Sequence, residues 1–170
     1  NGRRRQRQMC IRDSPYCDIC AARTPAALFD NAIRRLFRIS RRIERRADSF
    51  GWLNLPDFDR NELKEIIWML EGAASDGNGR EGSAVAQYNL GLLALRGVIS
   101  PNGKSAQFWF KSAAHKGLSL AQFALGTEIE KEQCLSANER AKSDSAAAYW
   151  YRLSAAQGHS QAMVALARMY

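Results

Sequence analysis

The feature that most constrains the fold of this chain is an internal repeat. Segments that begin at Ala86, Ala121 and Ala162 align on their small and apolar residues, at offsets of 35 and 41 residues. Two further matching blocks begin at Trp109 and Trp150, again 41 residues apart. Repetition at this period predicts a stack of similar units, each about as long as a pair of helices.

The residues between these anchors have a helical pattern. In "SAVAQYNLGLLALRG" apolar and small residues recur every three or four positions, which predicts a helix over about 83–96. Pro101 and Gly103 interrupt the pattern, and a second helix is predicted over about 104–116, ended by Gly117. Because the connection is short, we expect the two helices to be antiparallel neighbours.

Small and aromatic residues recur where the predicted helices would meet. Small side chains let two helix backbones approach closely, and aromatic rings fill the space between helices. We therefore assign both sets to the core rather than to a ligand site. The small residues are Ala86, Gly91, Ala113, Ala121 and Gly126, and the aromatic residues are Tyr88, Trp109, Phe123 and Trp150.

This pattern resembles the Sel-one-like repeat family, a relative of the tetratricopeptide repeats. The matching residues of the first repeat are Ala86, Tyr88, Leu90, Gly91, Gly97, Val98, Lys104, Ala106, Trp109, Ala113, Ala114, Gly117 and Ala121. Those of the second repeat are Phe123, Leu125, Gly126, Ala147, Trp150, Ala155 and Gly158. A polar insertion over 131–145 replaces the turn between the helices of the second repeat. The resemblance covers about residues 59–170.

The resemblance implies an all-α fold, an α/α solenoid of antiparallel helix pairs whose first helices line a concave face. It also implies an interaction scaffold or adaptor that binds a protein or peptide on that face. By analogy with tetratricopeptide repeats, the candidate partner-binding residues are the outward positions of the first helices, although each is equally compatible with an ordinary solvated surface. They are Asn89, Arg96, Thr127, Lys131 and Arg168.

The formal net charge of +8 is concentrated in the first third of the sequence. Residues 1–14 and residues 15–50 each contribute +4, whereas residues 51–170 contain twelve basic and twelve acidic side chains. The repeat region is therefore neutral, and the basic character of the whole chain does not describe it.

The excess charge of residues 15–50 lies largely on one predicted amphipathic helix, over about 25–49, within a segment 24–58 that precedes the repeats. Pro25 is a good helix start and Gly51 a good stop. One face of this helix carries an apolar stripe made of Phe29, Ile33, Leu36, Ile43, Ala47 and Phe50. The other faces carry seven arginines: Arg34, Arg35, Arg38, Arg41, Arg42, Arg45 and Arg46.

Two interpretations of this helix are open. A basic amphipathic helix can lie on an anionic membrane or bind the phosphates of nucleic acid. It can equally pack its apolar stripe on the first repeat and leave its arginines in water. We favour packing, because a further helix predicted over about 59–75 is placed to complete a hairpin with it.

Signals for catalysis and cofactor binding are sparse. The histidines, His115 and His159, lie near predicted helix ends, and the sequence has no phosphate-binding glycine loop or nucleophile elbow. Cys17 and Cys20 have metal-ligand or redox spacing, but lack a second ligand pair or a βαβ context. We predict no enzymatic activity and no cofactor or metal. We expect a protein or peptide partner rather than a small molecule, a nucleic acid or a membrane.

The two ends of the sequence suggest a fragment. Residues 4–14, "RRQRQMCIRDS", resemble the in-frame translation of a transposase-end adapter used to prepare DNA sequencing libraries. We therefore expect residues 1–14 to be a disordered artefact, 15–23 a linker, and the source an environmental bacterial sequence. Because the last repeat would lack its second helix, we also expect Val164, Leu166 and Met169 to be exposed. The sequence indicates no cellular compartment.

Overall fold

The computed structural model describes residues 25–45, 55–75, 82–98, 103–131 and 137–170. Every regular element in these ranges is an α-helix, so the predicted all-α class is confirmed. The helices are α1 Pro25–Arg45, α2 Asp57–Ala74, α3 Ala84–Leu95, α4 Ala106–His115, α5 Ser119–Lys131, α6 Ala137–Ala156 and α7 Ser160–Arg168. The predictions for residues 1–14 and 15–23, and those for Cys17, Cys20, Arg46, Ala47 and Phe50, lie outside the described residues.

The helix ends are formed by local signals. The Ser83 hydroxyl accepts a hydrogen bond from the backbone N–H of Ala86 at the start of α3, and Ser105 caps α4 in the same way. A glycine with a φ near +80° follows α3, α4 and α6, at Gly97, Gly117 and Gly158. The residue after each glycine donates its N–H to a carbonyl five residues back, as in a Schellman turn. The predicted helix stop at Gly117 is thus confirmed.

The helices pack in the order in which they follow one another along the chain. Each extensive helix–helix contact joins two consecutive helices, from α1 with α2 to α6 with α7. Within the described ranges, buried apolar side chains form three clusters, and the largest joins α1, α2 and α3 with Trp109 of α4. The core is therefore distributed along the chain rather than gathered around one centre.

The core uses aromatic residues that the repeat pattern alone did not identify. Trp109 is buried as predicted, but the other three predicted core rings are half-buried: Tyr88, Phe123 and Trp150. The fully buried rings are Phe110 and Tyr151, which directly follow the two repeated tryptophans. Phe110 and Tyr151 are 41 residues apart, so the repeat offset contained the signal for both.

The polar insertion of the second repeat lengthens a helix. Helix α6 begins at Ala137, so most of the inserted residues belong to its first turns. The Ser143 hydroxyl donates a hydrogen bond to the Ile129 carbonyl at 3.2 Å, which ties this extension to α5. The described part of the insertion is rich in good helix formers, and it is helical from Ala137 onward.

Helix α7 is partly covered by α6. Leu166 and Met169 pack against the buried cluster that contains Tyr151, so their predicted exposure is wrong. Val164 faces the opposite side and is 63% exposed, as expected. The extensive contact between α6 and α7 explains the difference, because a helix that packs on one neighbour buries only one face.

Candidate interaction surfaces

The five candidate partner-binding residues lie on or just after α3, α5 and α7, but they differ in environment. Arg96, Lys131 and Arg168 are exposed, and Lys131 pairs with Glu128 at 2.8 Å. Asn89 and Thr127 are half-buried, and each donates a hydrogen bond to a carbonyl four residues earlier, at 2.8 Å and 3.0 Å respectively. These five residues therefore do not form one solvated surface.

Thr127 is half-buried and belongs to a polar cluster around the hydroxyl of Tyr151. The hydroxyl donates a hydrogen bond to Glu130 at 2.7 Å and lies 3.4 Å from the Thr127 hydroxyl oxygen. Burial is the main reason that the pKa of Tyr151 is raised to about 12, and Glu130 acts in the same direction. The Thr127 hydrogen bond and the charge of Arg168 lower this pKa. At neutral pH the phenol therefore stays protonated and serves as a hydrogen-bond donor.

A groove of about 390 Å³ lies between α4, α5 and α6. This α4–α6 groove is lined by Ser105, Gln107, Phe108, Lys111, Leu125, Ile129 and Trp150. Phe108 is 46% exposed, and the Lys104 ammonium lies 4.6 Å from the centre of its ring. The lining contains apolar and basic side chains and no acidic one, so it suits an apolar group next to a carboxylate. Sequence reasoning assigned Trp150 to the core and did not identify this surface.

Both histidines have roles at helix ends. Nδ1 of His159 accepts a hydrogen bond from the Ala162 N–H at 3.2 Å, which caps α7, and its ring stacks on Phe123 at 4.9 Å. His115 is the last residue of α4, and its ring meets Trp150 edge-on at 5.3 Å. Among the side chains that the structure describes, no group of three or more His, Cys, Asp or Glu is arranged to hold a metal ion. None of the described helices is long and apolar enough to cross a membrane.

Helix α1 packs its apolar face on α2, which is the arrangement that the packing interpretation predicts. Ala32 and Ile39 are fully buried at this contact. The half-buried residues that surround them are Leu28, Phe29, Ile33, Leu36 and Ile43. Because this face is covered by protein, it is not free to insert into a membrane in this arrangement.

Two arginines of α1 are paired with carboxylates of α2. Arg35 contacts Glu65 at 2.6 Å and Glu62 at 3.5 Å. Arg42 pairs with Glu62 and, at 3.2 Å, with Asp59, whose side chain is only 1% exposed. These pairs lie along the α1–α2 contact, so Arg35 and Arg42 bridge the two helices of the hairpin.

The other arginines within α1 form an exposed row, which we call the arginine column. Its members, Arg34, Arg38, Arg41 and Arg45, follow one another at intervals of four, three and four residues, so they share one face of the helix. In the part of the chain that the structure describes, no carboxylate lies within ion-pair distance of them. A cleft of about 360 Å³ lies beside the column, lined by Arg38, Arg41, Arg42, Arg45 and Glu62.

Comparison with known proteins gives a limited relationship. No protein-family model matches the chain, and no solved structure matches it. Chitin synthase regulatory factor 3 of Schizosaccharomyces pombe (strain 972 / ATCC 24843) is 31% identical to the chain over 99 residues. These residues are 58% of this chain and 10% of the relative. The chain is thus similar to a stretch that spans about a tenth of the length of that regulatory protein.

Proposed function

We propose that residues 59–170 form part of a Sel-one-like solenoid of antiparallel helix pairs, and that the chain acts as a protein–protein interaction scaffold. The observation that carries this proposal is the combination of packing between consecutive helices with one recurring contact. That contact places Gly91 against Phe110, and Gly126 against Tyr151. Proteins built from stacked repeats have such neighbour-to-neighbour packing and use their extended surfaces for binding.

The exposed apolar and basic side chains support a peptide-like partner that carries apolar and acidic groups. The α4–α6 groove combines the exposed ring of Phe108 with the ammonium group of Lys111. On the first helices, Arg96 and Lys131 occupy equivalent positions, 35 residues apart, and both are exposed. A partner segment with an aromatic or aliphatic side chain beside a carboxylate would complement either surface. The name of the S. pombe relative, a regulatory factor, is compatible with a protein that acts by binding.

A peptide-display selection against the whole chain tests this proposal. We expect enriched peptides to share an apolar residue flanked by Asp or Glu, and to bind as synthetic peptides in calorimetry. Two double variants identify the surface used. Phe108→Ala with Lys111→Glu alters the α4–α6 groove, and Arg96→Glu with Lys131→Glu alters the first helices.

The matched control is Arg140→Glu with Lys142→Glu, at two exposed residues of α6. It changes the net charge by the same amount as the first-helix variant. We expect one of the two test variants to weaken binding by at least about tenfold, a loss of about 1.4 kcal/mol, while the control binds like the natural chain. A selection that enriches no peptide would count against the scaffold function. Equal binding by both test variants and the control would do so as well.

A further inference from the structure

The arginine column is a charge arrangement that the fold itself does not require. The carboxylates of α2 neutralise Arg35 and Arg42, which lie on the packed side of α1. The four column arginines lie on the outer side of α1, and in the described ranges none of them forms an ion pair with a carboxylate. Like charges at three- and four-residue spacing destabilise a helix. Binding of an anion along the column would relieve this repulsion.

The residue type narrows the class of anion. All basic residues between 34 and 46 are arginine, and none is lysine. The guanidinium group is planar and offers paired N–H donors that match two oxygens of one phosphate group. From Arg34 to Arg45 the helix rises by about 16 Å, so the column is long enough for several successive phosphates rather than a single ion. A chain of phosphates therefore suits it better than a lone phosphate.

An aromatic ring lies beside the column. Phe37 is 56% exposed, and the guanidinium carbon of Arg41 lies 4.4 Å from the centre of its ring. This cation–π contact holds Arg41 next to a flat apolar surface that the core does not use. Exposed rings beside basic residues are typical of sites where unpaired nucleic-acid bases stack while the phosphates are held by cations.

The shape of the site favours a strand over a lipid surface. The cleft beside the column is bounded by Arg38, Arg41 and Arg45 on α1 and by Glu62 on α2. A narrow chain can enter such a cleft, whereas a flat membrane would reach only its rim. The apolar face that a membrane-bound helix would insert is already buried against α2. We propose that the arginine column, the adjacent cleft and Phe37 bind single-stranded nucleic acid. This activity is separate from the scaffold function.

Fluorescence anisotropy of the whole chain with a labelled oligo(dT) strand tests the proposal. The test variant replaces Arg34, Arg38, Arg41 and Arg45 with Glu. The control variant replaces Lys64, Arg140, Lys142 and Arg152 with Glu, which changes the net charge equally at exposed positions of α2 and α6. We expect the test variant to bind about 10- to 100-fold more weakly. The slope of the logarithm of the binding constant against the logarithm of the salt concentration should become shallower by about 0.7 for each lost phosphate contact. We expect the control to bind nearly as well as the natural chain.

Additional variants and competing polyanions distinguish binding by base stacking from binding by charge attraction alone. Phe37→Ala should weaken binding several-fold, whereas Tyr149→Ala, at a ring of α6 that is 52% exposed, should not. Vesicles of phosphatidylserine with phosphatidylcholine, and poly-glutamate, serve as competing polyanions of other classes. Equal losses in the two charge variants would overturn the proposal. So would tighter binding to vesicles or to poly-glutamate than to oligo(dT). Circular dichroism of each variant should show the total helix content of the natural chain, because a loss of binding through unfolding would not support the column.

Discussion

Gly91 lies directly against the ring of Phe110, so closely that a methyl group added at Gly91 would come within 2.5 Å of the Phe110 Cε1 atom. Gly126 has the same relationship to Tyr151, at 2.7 Å. In both cases the glycine lies on one helix and the ring on the next. The ring thus occupies the space where a side chain would otherwise extend, which lets the two helices approach closely.

This close approach predicts that Gly91→Ala destabilises the protein. Alanine favours a helix over glycine by up to about 1 kcal/mol, but overpacking a filled core costs about 1 to 3 kcal/mol. We expect the free energy of unfolding in urea to fall by about 1 to 2 kcal/mol. Gly72→Ala in α2 is the control, because its new methyl would meet only the end of the Leu28 side chain, at 3.3 Å. A Gly91→Ala variant more stable than Gly72→Ala would contradict this account.

In the turn after α4, we expect a substitution to destabilise the protein through backbone strain rather than overpacking. Gly117 has a φ of +86°, and nothing lies within 4 Å of a Cβ added there. A substitution would therefore strain the backbone without any steric clash. We expect Gly117→Ala to lower the free energy of unfolding by about 1 to 2 kcal/mol. Gly117→Asn should cost less, because asparagine tolerates the left-handed region. If thermal unfolding ranks the two variants the other way, the Schellman turn does not control stability at this position.

The α1–α2 contact predicts unequal roles for two neighbouring arginines. Arg42→Ala removes the pairs with Glu62 and with the buried Asp59, and we expect it to lower the free energy of unfolding by about 1 to 3 kcal/mol. Arg38→Ala removes an exposed charge of the arginine column and should change this free energy by less than about 0.5 kcal/mol. Urea unfolding of the two variants provides the measurement. Similar values for both would show that the ion pairs do not stabilise the hairpin.

Tyr151 predicts a loss of stability at high pH. Its pKa is raised to about 12 in the folded protein, mainly by burial, whereas an unfolded tyrosine ionises near pH 10. Below about pH 10 the phenol is protonated in both states, so its contribution is fully present. Between pH 10 and about 12 the unfolded chain loses its proton first, and the free energy of unfolding falls.

Urea unfolding between pH 8 and about 11 measures this effect. We expect the natural chain to lose stability above pH 10 more steeply than Tyr151→Phe, which has no phenol to ionise. Tyr170→Phe, at a residue that is 88% exposed, is the matched control and should behave like the natural chain. Parallel pH curves for the natural chain and Tyr151→Phe would rule out this role of Tyr151.

The sequence predicted the local features of the fold well. The helix predicted over about 83–96 is observed as Ala84–Leu95, and the stop at Gly117 is observed as a left-handed turn. Helix periodicity and helix-end signals depend on residues that are close together in the sequence. They can therefore be recognised without knowing which helices pack against one another. The burial of Phe110 and Tyr151 was also encoded in the repeat offset, although the more prominent tryptophans obscured it.

The features that sequence reasoning missed depend on how each helix is rotated against its neighbours. Thr127 is half-buried next to Tyr151 because α6 packs on that side of α5. Leu166 is covered for a similar reason, since α6 packs against α7. A helical pattern defines which residues share a face, but it does not specify which face another helix will cover.

The arginines of α1 show most clearly which features follow from the sequence and which follow from the packing of the helices. The sequence by itself determined that residues of this segment form a basic amphipathic helix, because spacing alone places charges and apolar groups on different faces. Only the tertiary structure decided that Arg35 and Arg42 are neutralised while Arg34, Arg38, Arg41 and Arg45 remain exposed. That outcome depends on where α2 places its carboxylates, because the packing of the two apolar faces sets which charged groups of α1 and α2 lie within reach of each other.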